Sequence, residues 1–183
     1  AAFPVEAEVA AVRSVPLERI VEHMLLVSDN DAAEVLARHV AAGTGRPASF
    51  NAGSRAIVDA VGGLGIDMSG STVLDGSGLA RGNALSPNVL VATLAAAARP
   101  ENPDLRSVLT GLPVARFTGT LDDRFDSPRA ADAAGVVRAK TGTRLNQLRF
   151  VRGRSVSSHA SRKAAEDEAL VFDENGEPMK GTI

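Results

Sequence analysis

Apolar positions recur along the first half of this chain with the period of an α-helix. Leu17, Ile20, Val21, Met24 and Leu25 stand at i, i+3, i+4, i+7 and i+8, one face of a helix that ends near Val27. Ala32, Val35, Leu36, His39 and Val40 repeat the pattern at once, closed by Gly43 and Gly45, with Asn30 or Asp31 expected as the N-cap. The run Ser28-Asp29-Asn30 therefore falls in a tight joint between two helices, where polar side chains are held rigidly; Asp29 is expected to point away into solvent. Ser49 to Val61 predicts a third helix, ended by Gly62-Gly63. Ser86-Pro87 opens the clearest helix, with Ser86 as cap, Pro87 at the first helical position, and Leu85 and Leu90 placed as a hydrophobic staple. It runs to about Arg99, before Pro100.

Between these helices the pattern is shorter in range. Residues 1–16, with Pro4 and Pro16, read as a strand or extended lead-in. Thr72-Val73-Leu74 is a short strand candidate, followed by the glycine-rich loop Asp75-Gly76-Ser77-Gly78-Leu79-Ala80-Arg81. That loop lacks the Gly-x-x-x-x-Gly-Lys spacing of a phosphate loop, and Asp75 is read as structural. Residues 104–112 suggest a short helix, Phe117 to Phe125 a loop, and 126–134 a surface connection. Gly135 to Thr143 reads as a β-branched strand running into Lys140-Thr141-Gly142. Beyond it the texture changes: several arginines to Arg154, an amphipathic helix candidate near 161–170, and a loose, turn-rich end.

Composition narrows the chemistry. At 183 residues and 44% hydrophobic, the chain can build a core, and general disorder is excluded. Aromatics are 3%, with no Trp or Tyr, so a stacking platform for bases or sugars is absent and the core rests on Ala, Val, Leu and Ile. A formal net charge of −2 argues against nucleic acid as a partner. With no cysteine there is neither a disulfide nor a thiolate metal site, and His23, His39 and His159 form no metal-binding pattern. No cofactor is implied. No apolar run nears the ~18 residues of a transmembrane helix. The start, Ala1-Ala2-Phe3-Pro4, is read as that of a mature or truncated segment.

Two strings carry candidate chemistry. A strand ending in Lys140-Thr141-Gly142 supplies a cation, a hydroxyl donor and a side-chain-free position, which suits an anion held at a sheet edge. Ser28-Asp29-Asn30 lies upstream of it. Ser-Asp-Asn and Lys-Thr-Gly, together with a Ser-x-x-Lys, form the active-site set of penicillin-binding proteins and β-lactamases. With Asp75-Gly76-Ser77-Gly78-Leu79, Ser86-Pro87, Leu112-Pro113-Val114-Ala115 and Gly119-Thr120-Leu121 between them in order, the chain resembles the D-alanyl-D-alanine carboxypeptidases/endopeptidases of the penicillin-binding protein 4 type over about residues 5–143.

The resemblance implies an α/β (α+β) fold of the β-lactamase/transpeptidase type, helices packed on a mainly antiparallel sheet that is incomplete here. It implies residues 1–143 as part of a penicillin-binding domain and 144–183 as a divergent, partly disordered tail. It also implies an extracytoplasmic serine hydrolase acting on peptidoglycan stem peptides ending in D-Ala-D-Ala and acylated by β-lactams. In that chemistry Ser28 belongs to the proton path to the leaving amine, and Asn30 orients the substrate amide. Lys140 and Thr141 bind the terminal carboxylate, Gly142 leaves room for the acyl group, and the Thr143 N–H joins the oxyanion hole. Two departures stand out. None of Lys140, Lys163 and Lys180 has a serine three positions before it, so the nucleophile motif is absent. After Thr143, Arg144-Leu145-Asn146-Gln147-Leu148 does not match the family's apolar strand pair; a frameshift, a chimera and a lineage-specific end all fit. An inactive enzyme fragment is the first reading, and a non-catalytic module that binds D-Ala-terminated peptides is the second.

Overall fold

Helix boundaries follow the apolar periodicity closely in a computed structural model that describes residues 10–142. The expectations for residues 144–183, for Thr143 and for most of the lead-in lie outside the described residues; residues 10–16 are exposed and without regular structure. Helix α1 spans Leu17–Val27 and is halted by Ser28, whose backbone is left-handed at φ 57° and ψ 51°. That conformation turns the chain sharply, and the Met24 carbonyl accepts from both the Ser28 and the Asp29 N–H. Helix α2, Asn30–Gly43, starts two positions on. Its cap is Asp29 rather than Asn30 or Asp31: Asp29 Oδ1 accepts from the Ala32 N–H at 2.9 Å. Asp29 is thus not turned away into solvent; the left-handed serine brings the next residue into the capping position.

Helix α3, Phe50–Gly63, is capped by Ser49, whose hydroxyl accepts from the Ala52 N–H at 3.3 Å. Helix α4 spans Pro87–Ala98. Ser86 occupies its cap position without a side-chain cap hydrogen bond, and the Ser86 N–H donates instead to Ser71 Oγ at 3.1 Å. Helix α5 is short, Arg106–Thr110, entered through a 3₁₀ turn at Pro103–Leu105.

Small residues set the helix packing. α2 lies against α3 more extensively than any other described pair, and Ala37, Ala41, Gly53 and Ala56 are buried there. A Cβ on Gly53 would stand 3.2 Å from the Ala37 carbonyl, so the two backbones approach closely. The glycine-rich loop seals α2 from the other side. Gly76 and Ser77 donate their N–H groups to the Glu34 carboxylate at 3.0–3.2 Å. Asp75 holds the loop's shape by accepting from the Gly78 and Ala80 N–H groups and from Asn83 Nδ2, the structural role expected of it.

The expected strands are reduced to two isolated antiparallel bridges among the described residues, Thr72 with Ala84 and Val114 with Arg138. Around the second, Ala115 N–H donates to the Val137 carbonyl, Gly135 N–H to the Ala115 carbonyl, and Ala139 N–H to the Pro113 carbonyl. Pro113 has no N–H to return, so the ladder stops there. The pairing still anchors a second core: Ala115, Leu121, Val137 and Ala139 are fully buried together, with Phe125 and Ala133 packed against them. Residues 128–133, read as a surface connection, form a 3₁₀ turn.

Candidate active site

The two motif strings meet in space. Lys140 Nζ donates to Ser28 Oγ at 2.7 Å and to the Thr141 carbonyl at 2.9 Å, joining residues 112 positions apart. The lysine is partly buried, and loss of water around it lowers its pKa below the ordinary 10.5. Its partners are neutral oxygens. The ion pairs Arg19–Glu22 and Arg46–Asp59 do not involve Lys140. A partly buried ammonium whose described partners are dipoles favours a negative guest.

Each side is held by its own element. Ser28 is fixed by the joint between α1 and α2. Lys140 follows Ala139, which is buried and paired to Pro113, so the stem of Lys140 leaves a rigid segment. Thr141 Oγ1 donates to Thr120 Oγ1 at 3.0 Å. Thr120 sits in the 3₁₀ turn Gly119–Leu121. Gly119 has φ +59°, and a Cβ there would fall 2.1 Å from the Leu26 carbonyl oxygen. The turn is therefore pressed directly onto the last turn of α1. Gly142 is exposed, and no described residue comes within 4 Å of where its Cβ would be.

Of the residues expected from sequence, Ser28, Lys140 and Thr141 converge. Asn30 is exposed at the first position of α2, two residues from Ser28. Thr143 lies outside the described residues. Thr120 was not singled out as a site residue; only its place in the string Gly119-Thr120-Leu121 marked it. No group of three His, Cys, Asp or Glu that could hold a metal occurs among the described residues.

Residues 4–153 match a family model described as the D-Ala-D-Ala carboxypeptidase 3 (S13) family. The chain belongs to this family. A carboxypeptidase of Mycobacterium tuberculosis is 40% identical over 144 residues, 77% of this chain and 31% of that protein. A D-alanyl-D-alanine carboxypeptidase of an Actinomadura species is 35% identical over 71% of this chain and 24% of its own length. The crystal structure of penicillin-binding protein 4 from Haemophilus influenzae, in complex with a β-lactam, superposes with a TM-score of 0.63 at 34% identity, covering 70% of this chain and 29% of that one. The chain thus spans a third or less of the relatives it matches. It is similar in fold to a penicillin-binding protein, in a described part that is mostly helical.

This carboxypeptidase-family chain ties its glycine-rich loop to α2 through Glu34. α1 bridges to α5: Thr110 Oγ1 donates to Glu22 Oε1 at 2.6 Å, and a Cβ on Gly111 would stand 2.6 Å from the Glu22 Cα. No helix among the described residues is long and apolar enough to cross a membrane.

Proposed function

We propose that this chain is the part of a serine-type D-Ala-D-Ala carboxypeptidase and endopeptidase that supplies the Ser-Asp-Asn and Lys-Thr-Gly walls of the cleft. The observation that carries the reading is the Lys140–Ser28 hydrogen bond at 2.7 Å in a chain of this family. The substrate is a peptidoglycan stem peptide ending in D-Ala-D-Ala, and a β-lactam is its mimic. Lys140 and Thr141 take the terminal carboxylate; Asn30 orients the peptide amide. Ser28, bonded to the lysine, lies on the proton route to the leaving amine, and the Thr143 N–H faces the oxyanion. Acyl transfer needs a nucleophilic serine with its lysine, which this sequence lacks, so the chain alone is inert in catalysis. Its helices pack on an antiparallel sheet in the complete fold. Val136 and Phe117, 50% and 69% exposed beside the motif segment, are apolar surface for such a sheet to cover. Residues 1–143 belong to that domain, and the site works outside the cytoplasm.

The test is incubation with a labelled penicillin followed by boiling in detergent. No labelled band is expected; a surviving band overturns the inert reading. A second reading, a non-catalytic module for D-Ala-terminated peptides, is favoured by the partly buried Lys140, whose partners among the described residues are neutral oxygens. Calorimetry with a D-Ala-D-Ala peptide separates the two. Micromolar binding lost in Lys140→Ala supports the module, and no heat supports the inert fragment.

A further inference from the structure

A threonine hydroxyl carries one proton and two acceptor lone pairs, whereas a carboxylate only accepts. For Thr141 to hold a carboxylate, it must aim its proton at the ligand. In the structure Thr141 Oγ1 lies 3.0 Å from Thr120 Oγ1, a separation at which either hydroxyl can be the donor. The Thr120 hydroxyl can rotate and return a hydrogen bond to Thr141 Oγ1, and the two threonines then form a chain of donors that ends on the ligand. Such a chain fixes the Thr141 rotamer and polarises its O–H, strengthening the outer bond.

The support under Thr120 suits this task. Gly119 is locked against the Leu26 carbonyl, two residues before Ser28, and a side chain there has no room. Leu121 is fully buried in the core beside Val137 and Ala139. Arg116 N–H donates to the Leu121 carbonyl at 2.8 Å, and Leu121 N–H to the Thr118 carbonyl at 3.3 Å. The turn is thus pinned on both sides of Thr120, once to the serine-bearing joint and once to the lysine-bearing segment. A single hydroxyl between them registers the two motif strings on each other.

We propose that Thr120 is a positioning residue for carboxylate recognition, acting through Thr141. The inference rests on the proposed carboxylate-binding role of Lys140 and Thr141. The experiment is calorimetry of the full chain with a peptide ending in D-Ala-D-Ala and with the same peptide as its C-terminal carboxamide. Thr120→Val keeps the shape and removes the hydroxyl; Thr120→Ser keeps the hydroxyl. Thr120→Val is expected to weaken the carboxylate peptide about fivefold to tenfold, the worth of one hydrogen bond. Thr120→Ser should restore it, and the carboxamide should change less than about twofold, having lost the charge that rewards the donor chain. Thr120→Ala, which cannot crowd the turn, should repeat the Val result. Unchanged carboxylate binding in both hydroxyl-free variants, or equal weakening of the two peptides, overturns the role of Thr120 alone. No binding of the carboxylate peptide by the unaltered chain overturns this proposal together with the binding-module reading.

Discussion

Replacing Gly119 with alanine adds one methyl group where the structure has no place for it. The new Cβ would lie 2.1 Å from the Leu26 carbonyl oxygen and 2.9 Å from Leu26 Cδ1, against about 3.4 Å for ordinary contact. Relief requires α1 and the Gly119–Leu121 turn to part by more than about 1 Å, estimated from that gap. The carbonyl belongs to the last turn of a helix and cannot swing aside. Two costs add. A non-glycine residue at φ +59° is disfavoured by about 1 kcal/mol, and overpacking against fixed backbone costs a further 1–3 kcal/mol or so. The sum, about 3 kcal/mol, lowers the melting midpoint by roughly 6–12 °C in a chain of this size. Gly65→Ala isolates the first cost, since Gly65 has φ +80° and nothing within 4 Å of its Cβ; it should lower the midpoint by only about 2–4 °C. Thermal unfolding followed by circular dichroism measures both. If Gly119→Ala melts with Gly65→Ala, the close seating of the turn on α1 is wrong, and the support argued for Thr120 goes with it.

Four further outcomes follow from contacts described above. Lys140→Ala should weaken a D-Ala-terminated peptide by about tenfold to a hundredfold, the range for a hydrogen-bonded charge, as read by calorimetry. In the unaltered chain that affinity should hold at low pH and fall as pH rises through the lowered Lys140 pKa, below 10.5; Lys140→Arg should keep it to higher pH. Folding responds with the opposite sign. Between the lowered value and 10.5 the unfolded chain holds more protons, so stability gains from Lys140 as pH climbs through that window, and a urea titration at two pH values on either side should register it. Asp29→Ala removes the α2 cap and should cost about 1 kcal/mol in urea unfolding, with Asp29→Asn retaining most of it.

The helices were legible because their signals are local. Leu17 to Leu25 and Ala32 to Val40 mark their faces within single turns, and Gly43, Gly62 and Pro87 mark ends. What failed depends on neighbours distant in sequence or on one backbone angle. Ser28, Asp29, Asn30 and Asp31 are all capping types, and only the left-handed φ of Ser28 selects Asp29. Val136 and Val137 read as strand, yet the partner they meet includes Pro113, and the ladder ends after one bridge. At the site, the order of motif strings identified Ser28, Lys140 and Thr141 as partners. Thr120 escaped notice because a hydroxyl between two glycine-and-leucine neighbours says nothing about which hydroxyl it will face. The glycine beside it marks a crowded place: at φ +59° it leaves no room for a Cβ against the Leu26 carbonyl.

The bond between Lys140 and Ser28 closes a loop of 112 positions. Nothing local favours it early, while the α2–α3 pair and the loop tied to Glu34 collect their partners within about half that separation. Closure entropy therefore places the joining of the two motif strings late in folding, after the helices between them have shortened the effective chain. A cleft that assembles last is also the first to open. Amide exchange around Ser28 and Ala139 should thus report on the chain's topology as a whole, and substitutions far from the cleft that loosen the α2–α3 pair should register there before they unfold the helices themselves.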